Sequence, residues 1–385
     1  MDSQRWRECW NLAPGITYLN HGSFGPPPRP VREARRAWQD ELDSQPVQFF
    51  TRRLEPAWFA ARGALASFVG THEQQLVFVA NATEAMNVVA SSFPLGPHDE
   101  VVLTDHEYGA VERIWRRAAQ LAGAQEPRIC RLPVPFSYPG LVVDAVFRAV
   151  NRHTRLIVLS HITSPTAVIL PVRDVCAEAR RRGIAVCVDG PHAPAQVPLE
   201  IDRLGCDFYC ASCHKWLSAP FGSGFLYVAP EHQAAVQPLV LSWGRLAPQQ
   251  VDCWSDEFVW SGTQDPSAFL AVPAAIAFLQ SIGVERFRRE THELARYARQ
   301  RLLELAAGEP LVPDSAGWYG SMAHVPLPDG DAAALQDRLW SDYAIEVPII
   351  RWQERRWIRV SCHLYNVRDD IDRLVVALDR LLQDE

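Results

Sequence analysis

Short apolar runs that alternate with helical stretches constrain the fold of this chain more than any other feature. The runs lie at residues 76–79, 100–103, 156–160, 185–189, 208–211 and 224–228. Between them lie segments with helical spacing of apolar residues, such as residues 111–122 and 172–182. This alternation predicts an α/β fold, in which helices flank a mostly parallel central sheet.

The length of the chain, 385 residues, exceeds what one hydrophobic core usually supports. We predict a large domain at residues 31–283 and a smaller α+β domain at residues 284–385. The first 30 residues contain Gly22, Gly25 and three consecutive prolines, which exclude a regular helix there. We expect residues 1–30 to join the small domain.

Composition favours chemistry on small molecules. The net charge is -7 and basic residues form no cluster, so we expect neither a nucleic-acid nor a membrane partner. The chain lacks a long apolar run and begins without the apolar core of a signal peptide, which predicts a cytoplasmic protein. The chain has nine cysteines, and the irregular spacing of Cys206, Cys210 and Cys213 argues against a metal site.

One lysine, Lys215, stands among 38 basic residues, and the others are all arginine. A GC-rich genome explains why lysines are scarce, but it does not explain the position of this one behind an apolar strand. A desolvated lysine can lose its proton and attack an aldehyde, whereas arginine stays protonated and cannot form an imine. We therefore interpret Lys215 as a reactive amine.

Asp189 ends the apolar run 185–189, where α/β sheets bind ligands. A carboxylate at this place can keep a pyridine nitrogen protonated, and it can equally cap the following turn. The sequence around Asp189 and Lys215, with residues 81–85 and Arg359-Val360-Ser361, resembles the class V aminotransferases, fold-type-I enzymes that use pyridoxal 5'-phosphate. Residues 18–25, 105–110 and 260–267 are similar to the branch of isopenicillin N epimerase.

The resemblance implies a role for each matching residue. Lys215 would form the Schiff base and move protons, and Asp189 would pair with the pyridine nitrogen. His192 and Ser164 would lie near the ring oxygen, and the phosphate would be bound by Ala82, Thr83, Ser212 and His214.

The resemblance also implies which residues would contact the ring, the second subunit and the substrate. His106 and Tyr108 compete for the place of the aromatic side chain that stacks on the ring, and we favour Tyr108. Gly262 and Thr263 would reach the phosphate of the second subunit of a homodimer with shared active sites, although they also suit a turn before a helix. Arg359 would bind the α-carboxylate of an amino-acid substrate.

The reaction is predicted in the order epimerase, then C–S lyase, then aminotransferase, with a non-catalytic homologue disfavoured because Lys215, Asp189 and Arg359 occur together. Asn20 and His21 are candidate substrate contacts. His21 is also a candidate second acid, although a structural histidine explains it as well. Residues 346–352 contain no cysteine, which argues against persulfide chemistry.

Overall fold

The computed structural model describes residues 6–246 and 249–385. Its strands are β1 (Thr17–Tyr18), β2 (Leu76–Val79), β3 (Glu100–Thr104), β4 (Arg128–Cys130), β5 (Thr154–Ser160), β6 (Ala185–Asp189), β7 (Phe208–Ser212), β8 (Gly224–Val228), β9 (Met322–Pro326), β10 (Ile345–Glu346), β11 (Ile349–Trp352) and β12 (Arg355–Ser361). The largest sheet has seven strands in the order β2-β8-β7-β6-β5-β3-β4.

The longer helices are α1 (Arg29–Ser44), α2 (Leu54–Val69), α3 (Ala82–Ser92), α4 (Gly109–Ala122), α5 (Gly140–Ala149), α6 (Val172–Arg181), α7 (Val272–Ile282), α8 (Val284–Leu303), α9 (Ala332–Tyr343) and α10 (Arg368–Gln383). Short helical turns lie at Pro46–Gln48, Ile201–Leu204 and Ser267–Leu270. Among the described residues, no single helix has the length and apolar character of a membrane span; the pair Ser267–Ile282 and Val284–Leu303, bent by 75°, meets these criteria only when taken together.

The central sheet is mostly parallel, as predicted. Strands β4, β3, β5, β6 and β7 run parallel to one another, whereas β8 is antiparallel to both β7 and β2. Every residue of β2, β3, β7 and β8 is buried, because helices cover both faces, and this explains the nearly continuous apolar runs. The α/β fold with a mixed, mostly parallel sheet is therefore confirmed.

Two sequence expectations differ from the structure in detail. The edge strand β4 was not predicted, since it has three residues and begins with an exposed arginine. The helical segment between Pro266 and Ile282 is divided near Ala271, where α7 begins with a proline in its first turn, and this break was not predicted. Proline fits the start of a helix but lacks the N–H needed inside one.

A second region contains the antiparallel sheet β11-β12-β9. Strand β1 pairs in parallel with β10, which brings the N-terminal segment beside the C-terminal part of the chain. Residues 1–5 of that segment lie outside the described residues. The domain boundaries at residues 31 and 284 stay a prediction.

Candidate active site

A cavity of about 340 Å³ lies beyond the carboxyl ends of β6 and β7. This edge of a parallel sheet is where α/β proteins bind ligands. Residues from the sheet, from α3 and α4, from the N-terminal segment and from β12 line it: Gly22, Ser23, Phe24, Asn81, Ala82, Thr83, Tyr108, Ala110, Val111, Ile114, Ser164, Asp189, Pro191, His192, Ser212, His214, Lys215 and Arg359.

Lys215 and Asp189 reach the cavity from adjacent strands. Asp189 is the last residue of β6, and Lys215 follows β7 in a turn. The Nζ atom of Lys215 lies 3.1 Å from Nε2 of His192. Burial, together with the charge of Arg359, lowers the pKa of the Lys215 amine, and burial raises the pKa of the Asp189 carboxyl. A buried amine with a lowered pKa is suited to act as a nucleophile and a base near neutral pH.

Gly190 lets the ring of Tyr209 pack against the chain directly after Asp189. A Cβ atom at this position would lie 2.2 Å from that ring, so a larger residue would displace the buried ring. The Gly190 N–H donates to the carbonyl oxygen of Cys210 at 2.8 Å and continues the β6–β7 pairing past the end of β6. The glycine therefore keeps Asp189 at the edge of the sheet.

The first turn of α3 borders the cavity. The Asn81 side chain accepts a hydrogen bond from Glu84 N at 3.0 Å and caps this helix. Ala82 N donates to Ser212 Oγ at 2.9 Å, which joins the helix to the end of β7. His214 lies nearby with a buried Nδ1 that has no hydrogen-bond partner among the described residues. Free N–H groups and the dipole at a helix start favour an anion here.

Arg359 closes the opposite side of the cavity. This residue of β12 is buried, and burial lowers the pKa of its guanidinium to about 10. Its Nη1 donates to the carbonyl oxygen of Ser164, and its Nη2 donates to Ser23 Oγ at 2.7 Å. The side chain is therefore not on the surface, and it is oriented as a fixed cation facing Lys215.

Of the two aromatic candidates, Tyr108 lines the cavity and His106 does not. Tyr108 is about half exposed and precedes α4. The His106 ring is fully buried between Phe136 and Trp352, with ring centroids 5.6 and 4.5 Å away. The structure thus corrects the prediction of a cofactor contact by His106, because packing turns that ring into the core.

His21 and Asn20 also lie away from the cavity lining. Nδ1 of His21 is 2.9 Å from the hydroxyl of Tyr365, and Nε2 is 3.0 Å from the carbonyl oxygen of Lys215. Burial lowers the pKa of His21 to about 3. A neutral ring with both nitrogens bonded is not a free acid, so the structure contradicts this predicted role. Asn20 Nδ2 donates to Glu346 at 3.2 Å, behind the cavity.

Gly262 and Thr263 lie on the loop before the helical turn Ser267–Leu270, outside the cavity. Gly262 has a φ of +112°, which favours glycine, and Thr263 is exposed. Their cross-subunit role stays a prediction.

Glu107 is a buried carboxylate near the site that the sequence analysis did not identify. Its oxygens accept hydrogen bonds from Thr104 Oγ1 at 2.6 Å and from Ser160 Oγ at 2.7 Å, and burial raises its pKa to about 7. Ser160 is the β5 partner of Asp189. Glu107 therefore ties the segment that carries Tyr108 to the strand beside Asp189. Its place between His106 and Tyr108 was the available signal.

The sequence profile described as Aminotransferase class-V matches residues 47–374. The chain belongs to this family. It is 38% identical to isopenicillin N epimerase of Amycolatopsis lactamdurans, over 97% of both chains. It is 31% identical to putative L-cysteine desulfhydrase 1 of Oryza sativa subsp. japonica, over 96% of this chain and 84% of the relative. A solved complex of the cystine C-S lyase C-DES with cysteine persulfide has a TM-score of 0.82 at 22% identity, over 95% of this chain and 97% of that one.

Membership of the class V aminotransferases makes this chain a pyridoxal-phosphate-dependent enzyme with the fold-type-I architecture, as the sequence predicted. The residues around the cavity fit that cofactor. They supply one buried amine, a carboxyl at the end of β6, and a helix start beside the unpartnered His214 Nδ1. An aldehyde, a protonated pyridine and a phosphate each find matching chemistry in this set.

Proposed function

We propose that this class V enzyme is an epimerase that inverts the α-carbon of an amino acid or a small peptide. The observation that carries the proposal is its likeness, along almost the whole chain, to isopenicillin N epimerase. The cavity supports the same reaction, because a base and a carboxylate-binding cation face each other across it.

Bound pyridoxal phosphate supplies an electron sink for a carbanion at the α-carbon. We propose Lys215 as its covalent anchor and as the base that removes the α-proton, because burial keeps part of the amine population uncharged. Asp189 would pair with the pyridine nitrogen, and His192 and Ser164 would contact the ring oxygen. Tyr108 would stack on the ring.

We propose that the first turn of α3 holds the phosphate through Ala82 and Thr83, with Ser212 and His214 completing the site. Arg359 binds the substrate α-carboxylate and orients the C–H bond toward Lys215. Inversion also requires a proton from the opposite face. Since His21 is bonded on both nitrogens, that proton comes from another group that lines the cavity or from water.

A C–S lyase is the second candidate, and the plant relatives named as L-cysteine desulfhydrases favour it. Both reactions begin with removal of the α-proton, so the same residues serve either one. Persulfide formation by a cysteine has no support here. Residues 346–352 contain no thiol, and Cys362 is fully buried in the core, which raises its pKa.

Incubation of candidate amino acids and small peptides in deuterated water distinguishes the reactions. We expect deuterium at the α-carbon together with inversion. Mass spectrometry detects the deuterium, and chiral chromatography detects the inversion. Pyruvate and ammonia would identify a lyase instead, and transfer of the amino group to an added keto acid would identify an aminotransferase. The Lys215→Ala protein is the control for exchange that does not depend on the enzyme.

We propose a cytoplasmic homodimer with shared active sites. The exposed side chains of Leu239, Val240, Leu241 and Trp243 form an apolar segment suited to burial by a second copy. No cysteine within the described part of the chain forms a disulfide, as is usual in the cytoplasm. Mixing two inactive variants, Lys215→Ala and Thr263→Asp, tests the sharing of sites. A heterodimer then has one intact site, so activity returns on mixing. A monomer in sedimentation experiments, or no recovery, contradicts the proposal.

A further inference from the structure

A row of four aromatic rings lies next to Arg359. The ring centroids of His106 and Trp352 are 4.5 Å apart, and those of Trp352 and Trp357 are 5.8 Å apart. The His324 ring stacks on Trp357 at 4.4 Å with an interplanar angle of 13°. His324 is directly opposite Arg359 in the β9–β12 pair, so both side chains project from the same face of that sheet.

This region contains several buried polar atoms without a partner. Both ring nitrogens of His324, Nε2 of His106 and Nε of Arg359 have no hydrogen-bond partner in the described part of the chain. The three residues are 8%, 0% and 3% exposed. An unpaired buried polar group is costly, and native proteins keep few of them. Of these residues Arg359 lines the cavity, so a ligand that engages its guanidinium can complete the bonding of the group.

The His324 ring is uncharged. Burial, and secondarily the charge of Arg359, lowers its pKa well below the usual value. A neutral imidazole offers one nitrogen that accepts a hydrogen bond. Arg359 is the residue paired with His324 across the two strands, and its buried Nε–H lacks an acceptor among the described residues.

We propose that His324 is a positioning residue for the substrate carboxylate: its neutral ring accepts a hydrogen bond from Nε of Arg359 once a carboxylate engages the guanidinium. Ser164 and Ser23 already orient Nη1 and Nη2. A guanidinium fixed at all three nitrogens presents its remaining N–H groups in one plane for bidentate binding. This inference rests on the proposed role of Arg359.

The test compares ligands with and without a carboxylate. The protein loaded with pyridoxal phosphate is titrated with L-norvaline and with butylamine, which is the same molecule without the carboxylate, and binding is followed by the absorbance of the cofactor. His324→Phe keeps a ring on Trp357 and removes both nitrogens. We expect it to weaken norvaline binding about tenfold and to leave butylamine binding unchanged.

His324→Gln retains an acceptor and is expected to keep the preference for norvaline. His292→Phe, on α8, is the matched control, because its Nδ1 bonds the Gly320 carbonyl oxygen away from Arg359. If wild type prefers norvaline and His324→Phe keeps the full preference, or loses affinity for both ligands equally, the inference is wrong. If wild type takes up the cofactor and binds both ligands equally, the role of Arg359 fails and the inference fails with it.

Discussion

The two sides of the active-site cavity are built in different ways. The sheet side, defined by Thr83, Asp189, Ser212 and Lys215, uses residues at the ends of neighbouring strands and at the start of α3. The far side, defined by Ser23 and Arg359, joins residues 336 positions apart in the chain. In the proposed function, chemistry at the cofactor belongs to the first side, and recognition of the substrate belongs to the second. Substitutions should therefore separate kcat from KM according to the side they affect.

The largest effect is expected at Lys215. Lys215→Ala should lower kcat by about 10²- to 10⁴-fold, because a positioned base contributes this much to a proton transfer. Since Lys215 is the only lysine, borohydride reduction of the loaded protein should attach the cofactor to one peptide, which mass spectrometry identifies.

Lys215→Arg is the matched variant, because it keeps a cation that cannot form an imine. It should be as inactive as Lys215→Ala and should resist borohydride labelling. A labelled peptide in either variant would show that another group anchors the cofactor.

On the far side, Arg359→Leu is expected to raise KM on the order of 10²-fold, which corresponds to about 3 kcal/mol for a lost buried charge pair. The kcat value should change less, since Lys215 and Asp189 are untouched. Steady-state kinetics measure the changes in KM and kcat separately. Arg359→Lys keeps the charge without the bidentate geometry and should lie between Arg359→Leu and wild type. A fall in kcat alone would remove the contrast between the two sides.

The same contrast explains what the sequence could predict. Asp189 was predicted because an apolar run that ends in a polar residue marks the edge of a parallel sheet, and Lys215 because it is the only lysine and follows such a run. His21 and His106 were misplaced because side-chain direction in a loop depends on packing with distant residues, here Tyr365 and Trp352. Motif spacing carries no information about such contacts. The cluster around His324 was missed for the same reason, since its strand pairing joins residues far apart in the chain.

Acid should destabilise both sides of the cavity. Burial lowers the pKa of His21 to about 3 and of His161 to about 4. The unfolded chain binds these protons below about pH 6.5, whereas the folded chain does not. The contribution of these histidines to the free energy of unfolding should therefore be fully present above pH 6.5. It should fall toward pH 4, and about 2 kcal/mol per histidine is lost at pH 5. Denaturant unfolding between pH 7 and pH 5 measures the slope.

His21→Gln on the far side and His161→Gln beside the sheet should each reduce that slope by a similar amount, whatever they do to stability at pH 7. Hydrogen exchange then shows which side opens first. A slope that neither His21→Gln nor His161→Gln reduces would contradict a buried neutral histidine at either position.

The smallest effect is expected at Tyr108, which precedes α4 at the open mouth of the cavity and is half exposed. Tyr108→Ala should weaken cofactor affinity by about fivefold, because a stacked aromatic pair contributes roughly 1 kcal/mol beyond the area it buries. Tyr108→Phe should be close to wild type in a fluorescence titration with pyridoxal phosphate, since the ring and not the hydroxyl makes this contact. If Tyr108→Phe binds the cofactor normally but loses inversion activity, the hydroxyl supplies the proton on the second face of the substrate. Chemistry would then not be confined to the sheet side.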